Sequence, residues 1–268
     1  MKESLKKIIK MGSFQTEAII IKQFDLGESD KIITCYTKDY GKIRAVARGV
    51  RMSKSPISGT VLPFNYNYMV FYQGRSMPRI NQVKNIYSFT ELRENLKKMA
   101  YASYMAEFVE KVGLENAPNQ ALFSLLLSNF YQLLKAGNDE LKYIDLIFNI
   151  KVLAILGIKP ELEHCVICNR ELNYYQQNIF NIEHGGLECQ DCYKEHRDET
   201  DIYRYFVLGE TIQIIKKILG NGIQPLLNIK ISDRACQEIE QLIRNFTIFH
   251  LDIKLNSCEF LNMIKKLG

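Results

Sequence analysis

The sequence predicts an α+β protein, in which an N-terminal five-stranded OB-fold barrel precedes an α-helical bundle domain with an inserted four-cysteine element. Three observations lead to this fold class. Apolar residues alternate with a period of two between Gln15 and Tyr87, and they recur at helical spacing after Tyr87. Two Cys-x2-Cys pairs then interrupt the helical pattern. The 268 residues are 47% apolar and 24% charged, a composition that can support a packed core.

These patterns divide the chain into five predicted segments. They are a flexible extension (1–12), the barrel (13–88), the first part of the helical domain (89–162), the cysteine element (163–200) and the second helical part (201–268). The element is too short to build an adequate core by itself, so we expect a metal to hold it together.

Five short segments of the first domain have the alternation of β-strands, and they are residues 17–24, 31–37, 43–50, 64–73 and 79–87. Turn residues around Gly41 and Gly74 separate them, and residues 53–63 form a longer loop rich in Ser, Pro and Gly. Closing such a small sheet into a barrel hides its edges. The spacing therefore favours an OB-fold.

One strand carries a row of large residues of the same parity, Phe64, Tyr66, Tyr68, Val70 and Tyr72. The pattern favours the interior face of the barrel, because a barrel this small needs large side chains inside. The alternative is an exposed surface on which single-stranded bases stack.

Helical spacing begins after Tyr87 and predicts a helix that ends at Gly113, followed by helices over residues 119–135 and 141–156. The last of these is apolar on every side and is predicted to lie at the centre of the bundle. Helical spacing returns over residues 208–219 and 233–266.

The four cysteines of the inserted element, Cys165, Cys168, Cys189 and Cys192, form two Cys-x2-Cys pairs with 20 residues between them. A tight turn in each pair can present two thiolates to one tetrahedral ion, so the spacing predicts one structural Zn²⁺ with a closed shell. Disulfides are disfavoured in a reducing cytoplasm, and redox-active thiols would need a thioredoxin-like context that is absent. We assign neither His164 nor His184 as a ligand, because four thiolates complete the shell.

Positive charge is concentrated in the first third of the chain. Residues 1–84 hold 15 Lys and Arg against 6 Asp and Glu, a balance of +9, whereas residues 85–268 hold 20 against 24, a balance of −4. The predicted phosphate-binding set consists of Lys42, Arg44, Arg48, Arg51, Lys54, Arg75 and Arg79. The alternative is a solvated face without a ligand.

Several classes of function are disfavoured. No phosphate-binding loop, dinucleotide-binding glycine motif, zinc-protease helix or serine-hydrolase motif occurs, so we expect no enzyme. The longest apolar run contains Lys142 and Lys151, which excludes a membrane span. The Lys-rich start lacks the apolar run of a secretory signal, and we expect a cytoplasmic protein without a membrane partner.

The residues also resemble a known family, the bacterial RecO recombination mediators. The resemblance is carried by GSFQTEAIIIK at residues 12–22, GESDKIITCYTKDYGK at 27–42, AVARGVR at 45–51, the cysteine quartet, and LNSCEFL at 255–261. It runs over nearly the whole chain from Met11, whereas the first ten residues depart from the usual start. Some family members lack the quartet, which agrees with a structural role for the metal.

The resemblance implies binding of single- and double-stranded DNA and annealing of complementary strands. It also implies work with RecR, and sometimes RecF, to load RecA onto DNA covered by single-strand-binding protein, whose C-terminal tail would be captured by a groove in the helical domain. A nucleoid location during repair would follow. Two other functions remain open on the residues alone: a zinc-ribbon RNA-binding or transcription accessory factor, and a non-catalytic adaptor.

Overall fold

The computed structural model describes residues 12–172, 178–195, 202–221 and 231–266, which belong to two compact units. The first unit contains the described residues up to Leu141 together with those from Leu255 onward, and the second runs from Lys142 to Lys254. The predicted extension at residues 1–12 lies, apart from Gly12, outside the described residues.

The first unit contains a closed five-stranded barrel. Its strands are β1 (Gly12–Leu26), β2 (Asp30–Thr37), β3 (Gly41–Ala47), β4 (Tyr66–Gln73) and β5 (Arg79–Tyr87). The strand order is β1-β2-β3-β5-β4, and antiparallel pairing of β1 with β4 closes the barrel. A single parallel contact, between Val46 and Arg79, joins β3 to β5. This is the arrangement of an OB-fold, so the predicted fold of the N-terminal domain is confirmed.

The alternation of β3 places its apolar and basic residues on opposite faces. Ile43, Ala45 and Ala47 are buried in the barrel, whereas Lys42 and Arg44 point outward. The interior is completed from the other strands by Ala18, Ile20, Ile33, Cys35, Met69, Phe71 and Ile80. Complete burial raises the pKa of the Cys35 thiol to about 12, as expected for a cysteine that serves as a small apolar side chain.

The aromatic row of β4 is not the interior face, and the prediction that favoured the core was wrong. The buried interior positions are those of the opposite parity, Met69 and Phe71. Tyr66 and the preceding Phe64 pack outside the barrel against helix residues, and Tyr72 is 44% exposed. Both faces of β4 carry large side chains, so alternation alone does not determine which face is inside. Buried tyrosine hydroxyls would also need partners in the core.

Eight α-helices lie in the described part of the chain. They are α1 (Thr90–Glu94), α2 (Leu96–Val112), α3 (Gln120–Lys135), α4 (Leu141–Ile155), α5 (Gln190–Glu195), α6 (Gly209–Gly220), α7 (Asp233–Leu251) and α8 (Ser257–Lys266), and a 3-10 turn (Asn138–Glu140) precedes α4. Asn95 and Asn119 cap α2 and α3 with their side-chain oxygens, and Gly113 ends α2 as predicted.

The predicted helical segment at residues 233–266 is two helices in the structure. The helix α7 ends at Leu251 and is capped by Asp252, which has a positive φ of 49°, and α8 begins at Ser257. The Glu107 carboxylate of α2 accepts hydrogen bonds from the backbone N–H groups of Asn256 and Ser257 at 3.0 and 2.7 Å. These bonds attach the start of α8 to α2 within the first unit.

The second unit has its own core around α4, α6 and α7. It also contains a three-stranded sheet of order β7-β6-β8, made of β6 (Asn178–Asn181), β7 (Gly186–Glu188) and β8 (Arg204–Val207). Ile150 of α4, Ile215 of α6 and Ile239 of α7 are each fully buried in this core. The helix α4 is therefore an interior helix, as its continuous apolar sequence predicts.

The compact units group the helices differently from the single bundle that the sequence predicts. Helices α1, α2, α3 and α8 belong to the unit of the barrel, whereas α6 and α7 belong to the unit of the cysteines. Periodicity predicts the buried face of a helix but not the element that covers it. Within the described ranges, no helix is long and apolar enough to cross a membrane.

Candidate metal centre and nucleic-acid interface

The four predicted cysteines come together in the second unit. The Sγ atoms of Cys165, Cys168, Cys189 and Cys192 all lie within 4.8 Å of one another, and Sγ of Cys168 is 3.7 Å from Sγ of Cys189. Four sulfurs arranged as a tetrahedron around Zn²⁺ would be about 3.8 Å apart, given Zn–S bonds of about 2.3 Å. Cys165, Cys189 and Cys192 are buried and Cys168 is exposed.

A tight turn shapes the first cysteine pair. The N–H of Asn169 donates to the carbonyl of Cys165 at 2.9 Å, and the N–H of Cys165 donates to the carbonyl of Arg170 at 2.8 Å. Asn169 adopts a positive φ of 60°, a conformation that asparagine tolerates better than most residues. The Asn169–Arg170 sequence after the second cysteine therefore reverses the chain.

The backbone of the second pair is attached to that of the first. Gly186 of β7 lies against Glu161, whose N–H donates to the carbonyl of Gly185 and whose carbonyl accepts from the N–H of Leu187, at 3.0 and 2.9 Å. The N–H of Val166 also donates to the carbonyl of Leu187 at 2.9 Å. This short pairing of backbone segments holds the two cysteine pairs next to each other. As a result, Cys165 and Cys189 converge although they are 24 positions apart in the sequence.

Backbone donors favour the thiolate form of one of the four cysteines, Cys165, whereas burial raises the pKa of Cys189 and of Cys192. Burial raises the pKa of Cys165, but hydrogen bonds from the N–H groups of Cys168, Cys189 and Ile167 outweigh it and bring the pKa down to about 7. Arg170 and Asp191, one from each pair's turn, form an ion pair of 2.7 Å at the surface of the cluster. The donor set fits a soft or borderline metal ion.

The cluster is closed as a ligand set. Among the described residues, these four cysteines are the group of metal-ligating side chains that come together, and neither His164 nor His184 joins them. His164 lies beside Glu161, and His184 contacts the side chain of Asn181. Four protein sulfurs leave no position for a reacting water, so the arrangement is of the structural kind.

On the barrel, five outward-facing positions form one row across the strands. The registers pair Phe24 with Ile32, Ile32 with Val46, Val46 with Arg79 and Arg79 with Tyr72. We call this set the transverse row. It is bordered by the β1–β2 turn at residues 27–29 and the β4–β5 loop at residues 74–78, the two loops that flank the oligonucleotide face of OB-folds.

Six of the seven predicted phosphate-binding residues fall into two groups. Four lie on or near the transverse row, and two lie further along the segment after β3. Arg79 is part of the row, Arg44 precedes Val46 by two residues, and Arg48 follows it by two. Arg75 is exposed in the β4–β5 loop. The remaining two lie in the segment after β3, where Arg51 donates from Nη1 to the carbonyl of Gly27 at 2.8 Å and Lys54 is exposed.

Lys42 differs from the other predicted phosphate-binding residues because its ammonium group is hydrogen-bonded to the main chain of α2. Its ammonium donates to the carbonyl of Glu110 at 2.7 Å, in the last turn of α2. The C-terminal carbonyls of a helix attract cations, so this lysine joins the barrel to α2. Weaker contacts are made by Arg44, whose Nε is 3.9 Å from a Glu115 oxygen, and by Arg51, whose Nη2 is 3.4 Å from an Asp25 oxygen.

Sequence reasoning did not single out Phe24, which the structure places in the transverse row. Its side chain is 52% exposed although it lies within β1, and the Nζ of Lys22 lies 4.8 Å from its ring centroid. The signal was present, because Phe24 is an aromatic residue placed three positions before the glycine of the β1–β2 turn. Its exposure became evident only from the strand pairing.

Comparison with known proteins agrees with this arrangement. The family model "Recombination protein O N terminal" matches residues 11–89, and "Recombination protein O C terminal" matches residues 93–259. Similar proteins include the DNA repair protein RecO of Thermoanaerobacter sp. (strain X514), which is 33% identical over 96% of this chain and all of its own length. Those of Desulforamulus reducens and Bacillus subtilis are 30% and 28% identical, over 96% and 94% of both chains.

The fold and the comparisons define a DNA repair protein that combines an OB-fold barrel with a helical part and a cluster of four cysteines that could hold a metal ion. The chain belongs to the RecO family.

Proposed function

We propose that this protein is a recombination mediator, which binds single- and double-stranded DNA and anneals complementary strands. With RecR, and with RecF where present, it would help to load RecA onto DNA coated with single-strand-binding protein, whose C-terminal tail it would bind. The observation that carries the DNA-binding part is the set of outward guanidinium groups around the transverse row, on a barrel that belongs to this family.

The proposed mechanism of annealing is electrostatic. Two strands that approach each other repel through their phosphates, and cations between them screen that repulsion over a Debye length of about 10 Å at 0.1 M salt. Arg44, Arg48 and Arg79 would hold the backbones while complementary bases meet. No covalent step is needed, so we propose that the protein is not an enzyme. Its site of action would be the cytoplasm, at the nucleoid during repair.

The experiment is a double charge reversal, Arg44→Glu with Arg48→Glu. Each reversal changes the net charge by two, so the variant falls from +5 to +1. Loss of phosphate contacts should abolish DNA binding at physiological salt and reduce the slope of log K against log salt by about one per contact. Binding is measured by fluorescence anisotropy with single-stranded and duplex probes, and annealing by complementary labelled strands.

The matched control carries the same change in net charge elsewhere on the first unit. Lys84 of β5 and Lys135 of α3 are exposed and lie outside the predicted set, so the variant Lys84→Glu with Lys135→Glu should retain binding. Equal affinity of both double variants for DNA would contradict the proposed interface. If the wild-type protein bound RNA but did not anneal DNA at matched salt, the RNA-binding alternative would be supported instead.

We propose that the metal at the cysteine cluster is one structural Zn²⁺, supported by the four sulfurs and their near-tetrahedral spacing. The variant Cys165→Ser with Cys168→Ser should lose the metal and unfold locally, because the binding energy contributes to folding. Metal content is measured by elemental analysis, with Cys258→Ser as the control outside the cluster. Undiminished zinc in the double variant would refute the assignment, and another metal in the wild type would correct its identity.

A further inference from the structure

The transverse row has an unusual composition for the outside of a barrel. Its two terminal members are aromatic, its centre is aliphatic, and a guanidinium stands beside one end. Phe24 and Tyr72 are 52% and 44% exposed, and Arg79 is exposed between Tyr72 and the half-buried Val46. Neighbouring strands are about 4.8 Å apart, so the four steps from Phe24 to Tyr72 cover about 19 Å.

Part of the outer face of the same strands is covered, which makes the exposure of the row specific. Thr34 and Tyr36 of β2 face outward by register and are 1% and 0% exposed, and the ring of Tyr36 lies against Gly113 at the end of α2. Ile32, the next outward residue of β2, stays partly exposed and belongs to the row. Solvent therefore reaches Ile32 and Val46 of the row, and it also reaches the neighbouring Arg44 of β3.

Resting on the proposed function, we propose that the transverse row is a stacking path for the bases of single-stranded DNA, with one base on Phe24 and another on Tyr72. The Lys22 ammonium lies over one face of the Phe24 ring, 4.8 Å from its centroid, and pairs with the Glu110 carboxylate at 3.2 Å, so a base would stack on the other face of the ring. Ile32 and Val46 provide apolar contact between the two platforms. A path of this length suits the few nucleotides that a single OB-fold accommodates.

Two guanidinium groups lie on either side of the path at its centre. Arg44 is two residues before Val46 within β3, about 7 Å at the rise of a strand, and Arg48 follows Val46 by two residues in the turn after β3. Phosphates on these residues and on Arg79 would leave the bases directed at the row. This places base contact and phosphate contact on the same surface but on different side chains.

The row distinguishes single strands from duplex. In a duplex the base faces are stacked on one another and do not reach Phe24 or Tyr72, whereas the phosphates remain available to the arginines. Annealing therefore removes the base contacts while it keeps the phosphate contacts. The protein would hold the single strands more tightly than the annealed product, which favours release after pairing.

The first test removes the aromatic rings without changing charge. Phe24→Leu and Tyr72→Leu should each weaken binding of an oligo(dT) probe at least about fivefold, the lower range for loss of one stacked base. Their affinity for duplex and for an abasic oligonucleotide of equal length should stay unchanged, and so should the salt slope. Tyr68→Leu is the matched control, on the outer face of the same strand and four residues from Tyr72.

A second test reports stacking directly. The chain contains no tryptophan, so Phe24→Trp and Tyr72→Trp each introduce a single indole that can still stack. Oligo(dT) should quench its fluorescence, whereas the abasic oligonucleotide should not, and Tyr68→Trp should respond to neither.

If the leucine variants bind oligo(dT) like the wild type and the tryptophans stay unquenched, while Arg44→Glu with Arg48→Glu still abolishes binding, the stacking path is wrong and the proposed DNA-binding face stands. If the wild-type protein binds no DNA, both proposals fail.

Discussion

The close approach of Gly186 to Glu161 permits a specific test of how the metal centre is assembled. A Cβ added at Gly186 would press on the Glu161 carbonyl oxygen and lie 2.8 Å from the Cβ and 2.9 Å from the N of the same residue. Distances below 3.0 Å require the neighbouring atoms to move, and here two of the three are backbone atoms. The substitution Gly186→Ala should therefore separate β7 from the segment that leads to Cys165.

The expected cost follows from the contacts on that interface. Separation breaks the hydrogen bonds from Glu161 N–H to Gly185 and from Leu187 N–H to Glu161, at 3.0 and 2.9 Å. Each contributes about 1 kcal/mol net, and overpacking adds about 1–3 kcal/mol. We expect the free energy of unfolding to fall by about 3–5 kcal/mol. Metal affinity should fall as well, because the two cysteine pairs are held in register by this pairing.

The measurement is urea unfolding of the metal-loaded protein, together with competition for the metal by a chromophoric chelator. Gly220→Ala is the control in the same unit, because an added Cβ there meets nothing within 4 Å. It should be neutral or stabilising by up to about 1 kcal/mol, since alanine is the better helix former. An unfolding midpoint and metal affinity of Gly186→Ala equal to those of the wild type would refute the reasoning.

Two further predictions concern the first unit. Gly41→Ala should destabilise this unit by at least about 2 kcal/mol, because Gly41 has a φ of +70° and an added Cβ would lie 2.6 Å from the carbonyl oxygens of Leu114 and Ala117. The measurement is urea unfolding, with Gly59→Ala as the control because the space around Gly59 is open. Equal unfolding midpoints for the two variants would contradict the prediction.

Burial raises the pKa of Glu107, but its hydrogen bonds from Ser257 and Asn256 and the charge of Lys111 lower it below the ordinary 4.5. This carboxylate therefore stabilises the fold above about pH 4.5, and the contribution is lost as pH falls further. In Glu107→Gln the free energy of unfolding should fall less steeply than in the wild type as the pH decreases below about 4.5. The same steepness in both proteins would contradict the stabilising role of the hydrogen bonds that Glu107 accepts.

The aromatic row of β4 shows where sequence reasoning reached its limit. Alternation correctly separated Tyr66, Tyr68 and Tyr72 from Met69 and Phe71, but it did not indicate which set was inside. The closure of β1 onto β4 decided that, because it turned the second set toward Ile20 and Ile33. Phe24 was overlooked for the same reason, since its outward direction follows from its pairing with Ile32, which also faces away from the barrel interior.

Local chemistry was readable directly from the sequence. The Cys-x2-Cys pairs, the turn at Asn169, the caps at Asn95 and Asn119 and the inward face of β3 all depend on residues within a few positions of one another. Such features are determined by backbone geometry and side-chain type over one or two turns of chain. The structure places the cysteine pairs and the inward face of β3 where the sequence predicts them, and it adds the caps at Asn95 and Asn119, which we had not predicted.

Only the tertiary structure determined which segments distant in sequence contact each other. Three examples are the contact of Gly186 with Glu161, the hydrogen bond of Lys42 to the last turn of α2, and the alignment of Phe24 with Tyr72 across five strands. Each joins parts of the chain that share no local sequence pattern. Periodicity specifies that a face is buried or exposed, whereas the partner of that face depends on how whole elements pack. For this RecO-family protein, the sequence determines the parts, and packing determines which of them meet to form a surface.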